Sequence, residues 1–590
     1  MRNFSPQHHL LYNQKYLRHS LLWVSFFLFH AIIESKRKRG KKSMKKSLPI
    51  GITDFSKIIQ KEYYYVDKTP LIEKIIQNGT EVTLFTRPRR FGKTLNMSML
   101  QYFWDIHNAE ENRKLFQGLH IESSPYFSEQ GKYPVISLSF KDLKEKNWEE
   151  CSKKIKRIIS NLYNQYEMIR TSLNQRDLKI FEDAWLESLD SDNSNAIKEL
   201  SEYVSKYYQK KVVILIDEYD TPILSAYEHG YYEEAIAFFR NLYSAALKDN
   251  EYLQVGIMTG ILRVAKEGIF SGLNNLAVYS ILDEKYSSYF GLTEEEVEQA
   301  LHYYEMEYNL QDVKEWYDGY RFGKTEIYNP WSIISYIINQ RIEPYWIGTS
   351  SNALINQMLE KARKEESDIF QKLERLFQGN PILQKIQKGS DFHDLIHVEE
   401  VWQLFLYSGY LTVAREEEQG FYQLKIPNKE VYSFFQESFI QKFLGNVTNF
   451  SALVVALTEK NWDNFEELLQ TVILNSLSYF DMSMEEEKIY HVFMIGLLSV
   501  LQEHYYIHSN RESGYGRYDI SIEPKEKNKA GFLLEFKIAK SEEELEKKAK
   551  EALLQIQEKR YDTEMKERGI QEIVKLGIAF YGKRVKILVL

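Results

Sequence analysis

Two clusters of side chains in this 590-residue chain have the types and spacing to act on phosphate groups. The first is Arg87-Pro88-Arg89-Arg90-Phe91-Gly92-Lys93-Thr94, which follows the apolar run Val82–Thr86 and precedes a stretch with Leu95, Met99, Leu100 and Phe103 at helical spacing. A strand, a Gly-Lys-Thr loop and a helix in that order make a phosphate cradle. Backbone N–H groups and the helix N-terminus hold the anion, Lys93 reaches the terminal phosphates, and Thr94 offers a hydroxyl to Mg²⁺. Arg87 stands where such loops carry their first glycine and is expected among the nucleotide-binding residues with Gly92, Lys93 and Thr94, and Arg89 and Arg90 add two cations able to contact phosphate. The run from Lys211 to Ile216 closes on Asp217 and Glu218. Its lack of alternation marks a strand buried on both faces of a parallel sheet. Carboxylates at its C-terminal end sit where open α/β sheets bind ligands. Asp217 is therefore expected to hold Mg²⁺ and Glu218 to polarise an attacking water. A second Gly-Lys-Thr, at Gly323–Thr325, lacks this context.

The second cluster lies after residue 480. Asp519 falls in a short strand, 518–522, and Glu535-Phe536-Lys537 interrupts the apolar run Gly531–Ile538. Two charges inside an apolar strand lose solvation unless they are paired or bind a metal. Carboxylate oxygens suit Mg²⁺. Lys537 shares a face with Glu535 by strand alternation and can orient water or stabilise a pentavalent phosphate. Glu487, on a helical stretch over 484–501, is expected to complete the metal shell. An internal salt bridge is the plainer alternative.

Other elements must position these groups. Runs at 134–140 and 253–259 supply further strands; Thr259 is placed to sense a γ-phosphate and Arg263 to neutralise charge, against a surface turn and a simple salt bridge. Thr69-Pro70 opens a helix over 71–77 that Asn78-Gly79 closes. Residues 284–480 read as mostly helical, and their aromatic clusters (316–322, 328–331, 345–352) suit core packing or a lid over the nucleotide. His393 and His397 have ligand-like spacing without a third ligand nearby, so a solvated helix face is expected.

Composition excludes some classes. With 76 basic and 84 acidic side chains, a broadly cationic chain is ruled out. One cysteine, Cys151, excludes an intrachain disulfide and suggests a reducing, cytoplasmic setting. The apolar segment 21–33 is too short for a span of about 20 residues. Its positive cluster, Lys36–Lys42, follows the apolar run instead of preceding it, unlike a signal peptide. Residues 1–43 read as an extension ahead of a true start at Met44. They carry a net +8, residues 481–590 a net −1 and residues 44–480 a net −15. Nucleic acid is thus expected to meet the C-terminal part and the arginine loop, where the Lys525/Lys527/Lys529 turn and the Lys547/Lys548/Lys550 cluster offer phosphate contacts.

The stretches Leu48–Phe55, Tyr65–Thr69, Arg87–Thr94, Ile216–Asp220, Trp316–Tyr320 with Phe322-Gly323, and Tyr328–Trp331 together resemble the AAA-ATPase-like family. That family typically carries a C-terminal PD-(D/E)XK nuclease module, and its usual loop also has Arg for the first Gly. The likeness runs from about Pro49 to the C-terminus. It implies an α/β fold: a P-loop NTPase parallel sheet with a helical extension, plus a C-terminal restriction-endonuclease-like α/β module. The expected divisions are 44–283, 284–480 and 481–590. Gln557-x-x-x-Tyr561 is similar to the Gln/Tyr motif of the RecB-like branch, which implies substrate positioning. The resemblance further implies ATP and Mg²⁺ as cofactors and nucleotide-controlled hydrolysis of DNA or RNA. The competing expectation is a nucleotide-gated switch or scaffold with an inert nuclease-like interaction module. No stable membrane association is expected, and self-association stays open.

Overall fold

The computed structural model describes residues 45–188, 193–263, 275–346, 368–377, 379–386, 401–435, 450–476, 487–498, 501 and 504–590. The expected start at Met44, the apolar segment 21–33 and the pair His393/His397 lie outside the described residues.

Strands β1 (Val82–Thr86), β2 (Val135–Ser139), β3 (Val212–Asp217), β4 (Leu253–Gly260) and β5 (Leu276–Tyr279) form a parallel sheet in the order β2-β3-β4-β1-β5. Every residue of β1 and β3 is buried, as their unalternating apolar runs require. The loop strand and the acid strand are not neighbours; β4 lies between them, pairing Thr259 with Phe85 and Met258 with Ile216. Strand β5 was not anticipated, because four half-buried edge residues carry little pattern. Helix α1 (Pro70–Asn78) ends at Gly79 in the left-handed conformation, as expected. Its start differs. Thr69 makes no side-chain cap; its Oγ1 and N both donate to Asp67 Oδ1, at 2.7 and 2.8 Å, because the carboxylate is the stronger acceptor. Helix α2 (Lys93–Trp104) follows the phosphate loop.

The middle region is less purely helical than its periodicity suggests. Strands β6 (Tyr320–Phe322) and β7 (Thr325–Ile327) form a hairpin, so the second Gly-Lys-Thr is its turn. Helices α3 (Pro330–Asn339) and α4 (Asp368–Phe377) flank an antiparallel sheet of β8 (Ile382–Lys385), β10 (Phe421–Lys425) and β9 (Thr412–Glu416), in that order.

Helices α5 (Trp462–Ser476) and α6 (Glu487–Leu498) lead into the C-terminal sheet. It comprises β11 (Tyr505–Ser513), β12 (Gly516–Pro524), β13 (Gly531–Ile538), β14 (Ile573–Tyr581) and β15 (Arg584–Val589), with helix α7 (Leu545–Glu558) between β13 and β14. Only β13 and β14 run parallel. Alternation along β13 separates two faces. Phe532, Leu534 and Phe536 share a core with Met494 of α6, whereas Leu533 packs with Ile556 of α7. Glu535 and Lys537 therefore lie on the α7 side. The edge at β15 is closed by α5: Glu466 accepts from Ile587 N at 2.8 Å, and Gln470 accepts from Val585 N at 3.0 Å.

Candidate functional sites

The phosphate loop turns at Gly92, whose φ of 83° is open to glycine at little cost. Lys93 is 4% exposed and folds back on the loop, donating from Nζ to the Arg87 and Pro88 carbonyls at 3.0 Å each. Burial pushes its ammonium below the ordinary lysine range, opposed by the charges of Glu218, Asp217 and Asp220. Thr94 Oγ1 donates to Asp217 Oδ2 at 2.8 Å, Ser139 Oγ reaches the same oxygen at 3.5 Å, and Thr259 Oγ1 donates to Oδ1. The strands on either side of β3 and helix α2 thus each send a hydroxyl to one carboxylate. Thr259 serves this acid directly. Glu218 holds φ 52°, a conformation that costs a non-glycine residue about 1–2 kcal/mol, and its Oε2 accepts from Thr221 Oγ1 at 3.1 Å. Arg263, three residues past β4, is half-buried at the border of the described residues. A cleft of about 480 Å³ is lined by Arg89, Arg90, Lys93, Thr94, Glu218 and Trp331, among others. A smaller apolar pocket of about 110 Å³ adjoins it through Gly92, Leu95, Pro330 and Ile334.

Arg87 corrects an expectation. Its guanidinium is fully buried beneath the loop and donates from Nη1 to the Thr86 and Tyr279 carbonyls, both at 2.9 Å. It lies 5.1 Å from the Phe290 ring centre and 5.2 Å from that of Phe322. Burial pushes its pKa down to about 9. Arg87 therefore ties β1 to β5 and the segment after it instead of meeting phosphate, because a side chain in the first-glycine position points into the core.

The middle region grips the other side of the loop. Phe91 packs on Tyr320 and Phe322, at 5.0 and 5.2 Å between ring centres. Arg90 stacks 3.9 Å over Trp331, and Trp346 Nε1 donates to the Arg89 carbonyl at 3.3 Å. Behind these tryptophans sits Glu430, fully buried. It accepts from Tyr345 N at 2.6 Å, Trp346 N at 2.7 Å and Ser332 Oγ at 2.8 Å. Burial raises its pKa to about 7 against these donors and Arg90. Of the aromatic motifs, Tyr320, Phe322, Trp331 and Trp346 meet the phosphate loop, whereas Trp316, Tyr317 and Tyr328 share a separate core.

In the C-terminal sheet Asp519 and Glu535 face each other across β12 and β13. Phe536 N donates to Asp519 Oδ2 at 2.6 Å, and Asp519 N to Glu535 Oε2 at 3.3 Å. Lys537 Nζ lies 3.6 Å from Glu535 Oε1. Burial first, and Asp519's charge second, raise the Glu535 pKa to about 8; burial raises Asp519 too. His491 Nε2 donates to the Asp519 carbonyl at 3.0 Å. Glu487 opens α6, but its side chain lies outside the described set. Gln557 is a second correction. It is exposed, while Gln555 donates from Nε2 to Glu535 Oε1 and to Tyr561 Oη, the latter at 3.1 Å. Two residues are about 200° of helix rotation, so only one of these glutamines can face β13. Tyr561 is buried and meets Gln555, not Gln557.

Residues 49–270 match the family model described as predicted AAA-ATPase, and residues 485–589 match that of the PD-(D/E)XK nuclease superfamily. The chain joins a predicted AAA-ATPase domain to a PD-(D/E)XK nuclease superfamily domain. An uncharacterized protein in the vnfD 5' region of Azotobacter chroococcum mcd 1 is 28% identical over 405 residues, covering 68% of this chain and 71% of that protein.

The donor sets of both domains suit hard cations. The ATPase domain presents a hydroxyl beside a carboxylate, and the nuclease domain a buried and a half-buried carboxyl with one ammonium beside Glu535. Among the described residues no group of three His, Cys, Asp or Glu side chains is positioned to hold a metal. No helix among the described residues is long and apolar enough to cross a membrane. Sequence reading passed over Ser139, Glu430 and Gln555. Only Gln555 had a signal: the apolar Ile556 and Ala552 set the buried face of α7 and put residue 555 beside it.

Proposed function

We propose that the ATPase domain binds ATP with Mg²⁺ and that its nucleotide state controls Mg²⁺-dependent cleavage of DNA or RNA phosphodiester bonds by the nuclease domain. The observation that carries this reading is the pair of buried Glu535 and half-buried Asp519, both carboxyls pushed up by desolvation, with Lys537 beside Glu535. Such a pair is poorly satisfied by the protein alone and is relieved by a cation. Asp519 and Glu535 would hold Mg²⁺, whose chemistry there is to activate water and neutralise the phosphate. Lys537 then faces the developing charge, and Gln555 holds the Glu535 carboxylate in place.

In the ATPase domain, Thr94 and Asp217 would hold Mg²⁺, Lys93 would leave the loop carbonyls for the phosphates, and the adjoining apolar pocket takes the base. Control is supported by an unbroken chain of contacts. It passes from the Arg89 carbonyl to Trp346, from Trp346 N to Glu430, and along the chain to Tyr432. Tyr432 Oη donates to the Phe377 carbonyl of α4 at 3.1 Å, α4 packs on α6, and His491 of α6 holds the Asp519 backbone. The test is cleavage of plasmid and single-stranded substrates with Mg²⁺, with and without ATP, comparing the native chain with Asp519→Ala. Loss in the variant supports the reading; equal cleavage by both, or none by the native chain, refutes it.

A further inference from the structure

The lysine clusters expected to meet nucleic acid are poorly placed for it. Lys529 pairs with Glu526 at 3.1 Å, Lys548 pairs with Glu551 at 2.6 Å, and Lys525 rests 5.3 Å over the Tyr506 ring. Lys525 is also six residues along the strand direction from Asp519, about 20 Å away at the strand rise.

The opposite end of the same hairpin differs. Tyr515, at the tip between β11 and β12, is 71% exposed, although large apolar rings are normally covered. It is held rigidly. Tyr515 N donates to the Lys559 carbonyl at 2.7 Å, and Ser513 Oγ to the Tyr561 carbonyl at 2.8 Å. Gly514 has φ 61°, and a Cβ there would strike the Lys559 and Arg560 carbonyls. Arg517 on β12 and Lys559 and Arg560 on the segment bonded to the tip are all exposed and without an ion pair among the described residues; the Arg560 guanidinium is 6.0 Å from the Tyr515 ring centre. Arg517 lies two residues from Asp519 on one face of β12, about 7 Å along the strand. Lys559 and Arg560 immediately precede Tyr561, whose hydroxyl bonds Gln555 and so reaches Glu535.

We propose that this tip is a docking platform for single-stranded nucleic acid: Tyr515 stacks on a base, while Arg517, Lys559 and Arg560 hold flanking phosphates and lead the strand to Asp519 and Glu535. An exposed ring accepts any base by its π-face, and unpaired cations at fixed positions follow the backbone. A duplex keeps its bases stacked inside and offers the ring no partner. The platform rests on the nuclease reading above.

The experiment uses the full chain carrying Asp519→Asn, so that binding is read without cleavage, with fluorescein-labelled 20-nucleotide single strands and duplexes in low salt. Adding Tyr515→Ala should weaken single-strand binding about tenfold and duplex binding less than twofold, with Tyr515→Trp restoring affinity and the melting temperature unchanged. Replacing Arg517, Lys559 and Arg560 by Ala should reduce the slope of log affinity against log salt by about 2. Single-strand binding within twofold of the parent for Tyr515→Ala, or an equal loss on duplex, overturns the platform. The nuclease reading is judged separately by the unmutated chain: cleavage that persists unchanged with Tyr515→Ala sinks the platform alone, whereas no cleavage of any substrate sinks the reading beneath it.

Discussion

Asp217 and Glu535 are both nearly buried carboxyls on central strands, 4% and 2% exposed, yet their surroundings differ in kind. Asp217 is met by three neutral hydroxyls, from Thr94, Ser139 and Thr259. Glu535 is met by another carboxyl, with Gln555 and a lysine at 3.6 Å, and burial holds its pKa near 8. The first acid is satisfied by the protein's own hydroxyls; on the function proposed above its ligand would reopen that site, and a cation would complete the second. The same contrast holds for the cations: Lys93 is turned onto loop carbonyls, whereas Lys537 is already aimed at the acid. A domain that exchanges ligands is served by the first arrangement, and one that keeps a metal for chemistry by the second.

The strongest way to break this comparison is Glu535→Gln. Cleavage should fall by on the order of 10³-fold, while the melting temperature stays level or rises, because an amide removes a buried like-charge contact. A marked loss of stability would show that Glu535 is held for packing. Next in size, Lys93→Ala should weaken binding of a fluorescent ATP analogue tenfold to a hundredfold, the range for a lost charged hydrogen bond. Unchanged affinity would remove the lysine from the phosphates. In the nuclease domain, Gln555→Ala should slow cleavage 10- to 100-fold as a support of a metal ligand, and Gln557→Ala should not. The reverse pattern would restore the sequence-based choice.

Two pH effects sharpen the contrast further. A raised carboxyl pKa means the metal must displace a proton, so Mg²⁺ affinity of the nuclease pair should climb as pH rises towards about 8, by up to about tenfold per unit. Calorimetry in buffers of different ionisation enthalpy would count the released proton. The smallest effect concerns Glu430, whose pKa of about 7 in the fold exceeds its unfolded value. Its contribution is therefore fully present below about pH 4.5 and lost as pH rises through 7, on the order of 3 kcal/mol. Unfolding midpoints from pH 5 to 8 should decline less steeply in Glu430→Gln than in the native chain.

Much of the scaffold was legible residue by residue. The runs at β1, β3 and β13 are local, and burial on both faces writes itself as unbroken apolar sequence. Gly79 and Gly92 announce left-handed turns that disfavour side chains. The choice between Gln555 and Gln557 was not legible from the motif, since spacing along a helix says nothing of its rotation until Ala549, Ala552 and Ile556 are seen to be buried. The direction of Arg87 was hidden for the same reason: it follows from the carbonyl of Tyr279, on a strand too short to read.

The sequence by itself determined which groups can do phosphate chemistry, because charge, hydroxyl and glycine content are properties of single residues and of short runs. It also determined that Asp217 and Glu535 would be drawn into sheets, since the apolar residues around them have nowhere else to go. Only the tertiary structure decided what each carboxyl meets there. Thr259 reaches Asp217 because β4 inserts between β1 and β3, and Glu430 reaches Trp346, which in turn bonds the phosphate loop, across 84 residues of chain. Such encounters depend on loop closure and on the packing of whole faces, which no local pattern encodes.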